Sequence, residues 1–356
     1  MKQLIRILLV LLLLAGVSGC STFTYYSQMI SGHVSLMLRS EPISHLTAQP
    51  DTSPALRQKL ERSEQMRSFA RGRLALPVGN TYTRFVGLEQ PWVVVTLVAV
   101  PEFSLEPHHW CYPVVGCQAY RGYFSLERAR KEEARFRERG YDTFVGGVTA
   151  YSTLGWFNDP LHTGFTNLTE DRMAALMFHE LAHRAVYLAD DTAFNESFAT
   201  AVELEGLRLW LEQQGQDNTF AQVLERQALR NRTLALVDTT SRALARLYRQ
   251  QNSLPPDLMR QHKSRYLEQL ARDYASLAEH YQDPGPLGRP PVQPNNAHLA
   301  LLRQYNQYVP GFRQWLRELD YDFGEFYRQV TELSRQPQAR RQARLQALSH
   351  RFDEHL

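Results

Sequence analysis

Five consecutive residues, His179-Glu180-Leu181-Ala182-His183, have the form H-E-x-x-H. On an α-helix, side chains four positions apart stand on the same face about one turn apart, so both imidazoles can reach one tetrahedral zinc ion. Glu180 sits beside them, placed to act as general base on a zinc-bound water and to pass the proton to a leaving amine. Zinc would lower that water's pKa towards about 7 and polarise the scissile carbonyl. The motif needs a helix, and its flanks favour one: Met173 to Phe178 before it and Ala185 to Leu188 after it contain neither Pro nor Gly.

A catalytic zinc usually takes three protein ligands and keeps one position open. Glu196 and Glu203 are the candidates for the third, on a second helix that Asp191 or Thr192 could cap. If the second helix returns antiparallel to the first, a rise of about 1.5 Å per residue puts the metal roughly seven residues into it, between the two carboxylates. Geometry leaves both open. The dipeptide Asn195-Glu196, however, resembles the Asn-Glu pair that carries the third ligand in thermolysin-like enzymes, the gluzincins, and that resemblance assigns the ligand set His179, His183 and Glu196. For a transition-state oxyanion the candidate donors are Tyr151 and His298, with Tyr305 one helical face on. Glu203, Glu205, Asp190 and Asp191 are near enough in sequence to hold a substrate ammonium.

These residues need elements to position them. Ser53 to Leu76 has helical spacing and ends before Pro77, whereas Trp92 to Val100 is β-branched and apolar and reads as a buried strand. Tyr120 to Phe124 reads as a short strand, Ser125 to Arg139 as a helix ended by Gly140, and Thr143 to Ser152 as a strand. Within that last strand Gly146 and Gly147 mark a bulge or a close backbone approach, and its position shortly before the expected metal helix suits either an edge strand that pairs with an extended peptide or a strand of the core. Helices are expected over 170–188, 193–214, 218–251, 255–281, 296–307, 310–332 and 336–354, with an irregular break from Asp283 to Asn295. The expected fold is α+β, a mostly helical zincin-like metallopeptidase domain with a small β-sheet beside the H-E-x-x-H helix. One domain would span 51–356, a mixed half over 51–192 and a helical half over 193–356.

Composition narrows the class. The chain is 43% hydrophobic and 22% charged, with 40 basic against 37 acidic residues and a net charge of only +3, so it can bury a core and carries no footprint of nucleic-acid binding. Lys2 and Arg6 precede an apolar run, Ile7 to Val17, that is too short to span a bilayer and reads as part of a secretory signal over 1–19. Val17-Ser18-Gly19-Cys20 looks like a bacterial lipobox. Cys20 would then carry lipid, 20–50 would be a tether leading into the domain, and the absence of Asp after Cys20 suits an outer-membrane lipoprotein facing the periplasm. In an exported protein Cys111 and Cys117 are expected to form a disulfide; the alternative is a two-thiolate metal site with His108 and His109. Arg340 to Arg351 reads as a solvated helix face.

The stretches WCYPVVGCQAYRGYF (Trp110 to Phe124), GGVTAYSTLGWFNDPL (Gly146 to Leu161), HELAHRAVY and DTAFNESFATAVE resemble the Putative aminopeptidase family of bacterial lipoproteins. The resemblance covers nearly the whole mature chain and implies a zinc-dependent peptidase acting on peptides or proteins. Two features depart from the gluzincin pattern: the interval between His183 and Glu196 is short, and Thr200 stands where an acidic residue often supports a metal histidine. Two other readings remain: a lipoprotein whose metal site is structural and which binds or scaffolds a partner, and a metal-dependent amidase acting on cell-wall fragments. Glu180 argues against the first, since a structural site needs no base between its ligands.

Overall fold

The computed structural model describes residues 25–112, 116–148, 158–303 and 307–352. Its first part runs α1 (residues 25–39), β1 (Glu41–Pro42), α2 (Ile43–Ala48), α3 (Pro54–Gly72), β2 (Arg84–Val86), β3 (Val94–Pro101), β4 (Trp110–Tyr112), β5 (Gly116–Gln118) and β6 (Arg121–Tyr123). It continues with α4 (Leu126–Glu138), β7 (Tyr141–Val148), β8 (Leu161–His162) and α5 (Thr163–Thr166). The remainder is helical: α6 (Glu170–Ala185), α7 (Thr192–Gln213), α8 (Asp217–Tyr248), α9 (Pro256–Ala278), α10 (Asn296–Arg303), α11 (Val309–Glu318), α12 (Phe323–Ser334) and α13 (Gln338–Ser349). The architecture is therefore a mostly helical α+β fold with small sheets. Among the described residues no helix is long and apolar enough to cross a membrane.

The main sheet has the order β6-β3-β7, with both pairings antiparallel. Its central strand is apolar on both faces because both are covered. Val95, Leu97 and Ala99 pack with Ala129 and Phe136 of α4, whereas Val98 and Val100 pack with Ala297 and Ala300 of α10. Strand β7 pairs with β3 residue for residue from Val94↔Val148 to Pro101↔Tyr141, so the two glycines mark no bulge. They mark a close approach. A Cβ on Gly147 would lie 2.9 Å from the Trp92 ring, and one on Gly146 would lie 2.5 Å from the ring of Phe144. A second sheet, β1-β2-β8, and the hairpin β4-β5 complete the strands. Cys111 and Cys117 face each other across that hairpin and are joined by a disulfide, so their thiolates form no metal site. His108 packs its ring edge-to-face on Trp110 instead.

The largest core gathers residues from Ile43 to Leu348, and α7 runs through it. Phe194, Phe198, Val202, Leu207 and Trp210 bury different sides of that helix, which marks it as central rather than amphipathic. Each such side chain contributes about 1.5–3 kcal/mol on full burial. Gly206 permits its packing: a Cβ there would lie 2.7 Å from Leu74 Cδ1 and 3.3 Å from Phe178 Cδ2. A second core joins α8, α9 and α10 through Leu244, Leu270 and Leu299.

Three local expectations differ from the structure. The helix expected over 310–332 is two helices, because Asp320 and Tyr321 take positive φ of 48° and 59° and the Asp322 side chain accepts from the Glu325 N–H to start α12. The helix expected to reach Leu76 stops at Gly72; Leu74 and Leu76 turn into the core about Ala75, whose φ is 49°. The described part of the expected tether is folded, with Leu36 of α1 and Ile43 of α2 buried.

Candidate metal centre

Helix α6 starts after Thr169 with Glu170 and Asp171 in its first turn, where carboxylates suit the positive end of a helix. Its core face is Met173, Ala174, Met177, Phe178, Leu181 and Ala182. The spacing of that face turns His179 and His183 towards α7, their ring centroids 4.9 Å apart. The short connection to α7 is held by Asn195, whose Oδ1 accepts from the Leu188 N–H at 2.8 Å and whose Nδ2 donates to the Leu188 carbonyl at 2.7 Å. Asp191 caps α7 by accepting from the Phe194 N–H.

That connection fixes the level of Glu196 in the first turns of α7. His179 Nε2 lies 3.4 Å from Glu196 Oε2, and His183 Nε2 lies 3.7 Å from Glu196 Oε1. The potential ligand atoms of His179, His183 and Glu196 all lie within 4.8 Å of one another. Glu203 stands seven residues further along, on the same face of α7, and its Oε2 lies 2.9 Å from His179 Nδ1. Because the two helices run antiparallel, moving from His183 back to His179 moves along α7 from the level of Glu196 towards that of Glu203. One carboxylate thus meets both Nε2 atoms, and the other holds the far nitrogen of His179. Thr200 lies between them in sequence, and the carboxylate that meets His179 Nδ1 comes from Glu203.

The donor set fits a cation. Burial pulls the His179 pKa down, but hydrogen bonds to Glu196 and Glu203 outweigh it and hold the net value well above the usual imidazole range. The same carboxylates that would attract a proton there suit a divalent metal. Burial, then His179, lowers His183 to about 4, so it is a neutral imidazole with a lone pair to give. Burial opposes ionisation of Glu196, yet the His179 hydrogen bond and the charges of His179 and His183 hold it below the usual carboxylate range. Glu180 behaves differently: burial pushes it up to about 7, the His179 charge opposes that, and Glu196 and Asp159 add to it. A carboxyl near neutrality can both take and return a proton.

A cleft of about 650 Å³ opens over these groups. One side is β7, through Phe144, Gly146, Gly147 and Val148; the other is helical, through His179, Glu180, His183 and Glu196. Among the described residues β7 pairs with β3 alone, so the strand beside the cleft is an edge strand. The rim is phenolic. Tyr120, from the β5-β6 turn, and Tyr187, from the α6-α7 connection, line the cleft with Tyr25 of α1. The Tyr120 phenol is 37% exposed at the rim, and partial desolvation together with the nearby Glu196 and Tyr187 raises its pKa to about 12, so it remains a hydrogen-bond donor near neutral pH. A second chamber of about 730 Å³ lies along α7 and α8 and shares His179, Glu180 and Glu196 with the first.

The other predicted site residues are placed as follows. His298 Nδ1 lies 2.8 Å from Asn295 Oδ1 and its ring packs edge-to-face on Phe144, and it lines neither chamber. Tyr151, Tyr305 and Cys20 lie outside the described residues. Glu205 is fully buried against Arg313, with Arg313 Nε to Oε1 at 2.7 Å, and is not open to a substrate ammonium. Asp191 accepts from Arg341 at 2.6 Å while capping α7. Sequence reasoning missed Tyr120 and Tyr187. Tyr187 closely follows α6 and could have been found by proximity, whereas nothing in the spacing of Tyr120 points to that helix.

No curated protein and no solved structure matches the chain. The family model described as Putative aminopeptidase does, over residues 24–345, from α1 through the paired helices α6 and α7 into α13, and the chain belongs to that family.

Proposed function

We propose that the protein is a zinc metallopeptidase of zincin-like fold that hydrolyses peptide bonds at a bacterial envelope, anchored by lipid on Cys20, and that it acts as an aminopeptidase. The observation that carries the reading is the convergence of His179 Nε2 and His183 Nε2 on the Glu196 carboxylate, with Glu180 adjacent and an edge strand along the same cleft. Two imidazoles and one carboxylate with room left in a cleft are the donor set of a catalytic rather than a closed structural zinc site. A zinc ion held there supplies Lewis acidity to a water and to the scissile carbonyl. Glu180, beside His179 on α6 and lining the same cleft, would take the proton of the attacking water and return it to the leaving amine. Glu203 orients His179 through Nδ1 and leaves Nε2 for the metal. The edge of β7 aligns an extended peptide by main-chain hydrogen bonds. The Tyr120 hydroxyl donates to the developing oxyanion.

The test is zinc content and peptide cleavage by the purified protein, compared with Glu180→Gln, Glu196→Ala, His183→Ala and Tyr120→Phe. About one zinc per chain is expected in the parent, Glu180→Gln and Tyr120→Phe, and little in the two ligand variants. Cleavage should disappear in Glu180→Gln and weaken in Tyr120→Phe. A folded parent that takes up no zinc when it is supplied overturns the metal reading. Zinc uptake with full cleavage by Glu180→Gln overturns the assigned base.

A further inference from the structure

Helix α1 follows the proposed lipidation site closely, with only Ser21 to Thr24 between Cys20 and Tyr25. It is packed on one side: Gln28, His33 and Leu36 are buried. On the other it exposes large apolar side chains at a spacing of four, Ile30 at 63%, Val34 at 46% and Leu38 at 82%. Residues four apart on a helix drift by only about 40° per step, so these three form one stripe roughly 12 Å long. Ser27, Ser31, Ser35 and, at the helix end, Arg39 are the exposed residues beside it; no charged residue occurs between Cys20 and Arg39, whose guanidinium donates to the Gly87 carbonyl at 2.9 Å.

We propose that the Ile30-Val34-Leu38 stripe of α1 lies in the surface of the lipid bilayer and orients the domain so that its catalytic cleft opens beside the membrane. The occupant is argued from the chain itself. Five residue steps from Cys20 reach at most about 17 Å, so a lipid on that cysteine keeps α1 within reach of the headgroups. An uncharged helix face with isolated apolar residues and serines suits the boundary between headgroups and acyl chains, and burying it there removes apolar surface from water without burying a charge. The orientation follows because Tyr25 and Met29 of the same helix line the cleft that holds His179, Glu180 and His183. With the stripe seated, that mouth is held within about a helix diameter of the bilayer. The favoured substrates are then peptides lying on, or anchored in, the membrane surface, rather than peptides free in bulk solution. This inference rests on the proposed envelope location but adds a second contact that does not need the lipid.

The two can fail separately. The mature chain from position 20 with Cys20→Ser keeps every described residue and lacks the lipid. It would be floated with vesicles of phosphatidylethanolamine and phosphatidylglycerol, and with vesicles of phosphatidylcholine alone, alongside the same chain carrying Ile30→Ser, Val34→Ser and Leu38→Ser. The lipid-free chain should float with both kinds of vesicle, with little change in high salt, and the triple variant should bind at least tenfold less. Melting temperature, zinc content and cleavage of a short soluble peptide should match in the two chains, which shows that the variant is folded. Equal flotation of both chains, or flotation of neither, overturns the inference. So does dimer formation through the stripe without vesicle binding, since the occupant is then a second copy. Labelling of the full chain with radioactive palmitate tests the anchor on its own: an unlabelled chain refutes lipidation at Cys20 whatever the flotation shows.

Discussion

The two walls of the cleft are built over very different distances along the chain. Every polar group of the helical wall lies between His179 and Glu203, on two helices joined by a short connection, and its geometry follows from helical spacing. The opposite wall draws Tyr25 from α1, Thr96 from β3, Tyr120 from the β5-β6 turn and Gly146 to Val148 from β7. Nothing local relates those residues. They meet because β3 takes β6 on one side and β7 on the other. The groups proposed for bond breaking are fixed by short-range periodicity against a deep core, whereas the surface that would select a substrate is assembled by long-range strand pairing. The first should withstand changes to the second.

The largest effect that would sharpen the contrast is Glu180→Gln, expected to lower kcat by roughly 10²–10⁴ with zinc content and melting temperature unchanged. Next is a pH effect beneath the helical wall. His162 is buried, accepts from the Gly164 N–H through Nδ1 at the start of α5, and is held at about 4 by burial. Its folded-state pKa lies below the ordinary value, so its contribution is present above about pH 6.5 and is lost as pH falls towards 4, by roughly 3 kcal/mol at most. Urea titrations of the parent should therefore lose stability across that window more steeply than those of His162→Asn, which can still accept at the cap. Parallel curves would show that His162 is not a buried neutral group.

Glu203→Gln should follow, with zinc affinity or cleavage reduced about 10–100-fold, because the amide supports His179 more weakly. An unchanged zinc affinity and an unchanged rate would remove Glu203 from the site. Smallest is Gly147→Ala on the strand wall, where the added methyl meets Trp92 and should cost about 1 kcal/mol or more in urea denaturation. Zinc content should stay at the parent value and KM for longer peptides should rise. Loss of zinc in that variant would break the comparison, since it would show that the two walls are not independent.

The sequence was most legible where a motif and a period coincide. His179, Glu180 and His183 could be placed on one helix from spacing alone, and β3 could be recognised as a buried strand because it carries apolar residues on both faces. Legibility failed where the backbone leaves the common regions. No composition signal marks the positive φ at Asp320 and Tyr321 that divides α11 from α12, or the one at Ala75 that turns the chain into the core after α3 has ended. The strand β8 is two residues long and is defined by its parallel partner β2, so no pattern within it could have announced it.

The acids of α7 show where the boundary between sequence and structure falls. The sequence by itself determined that carboxylates follow the histidine pair on a helix, at intervals that leave Glu196 and Glu203 on one face and Glu205 on another. It could not decide their partners, because those depend on the distance and tilt between two helices. The tertiary structure decided them: Asn195 locks the connection so that Glu196 meets both Nε2 atoms, antiparallel packing brings Glu203 to His179 Nδ1, and the core encloses Glu205 against Arg313. Helical periodicity sets which face a side chain takes, but only the packing of one element on another sets what that face meets.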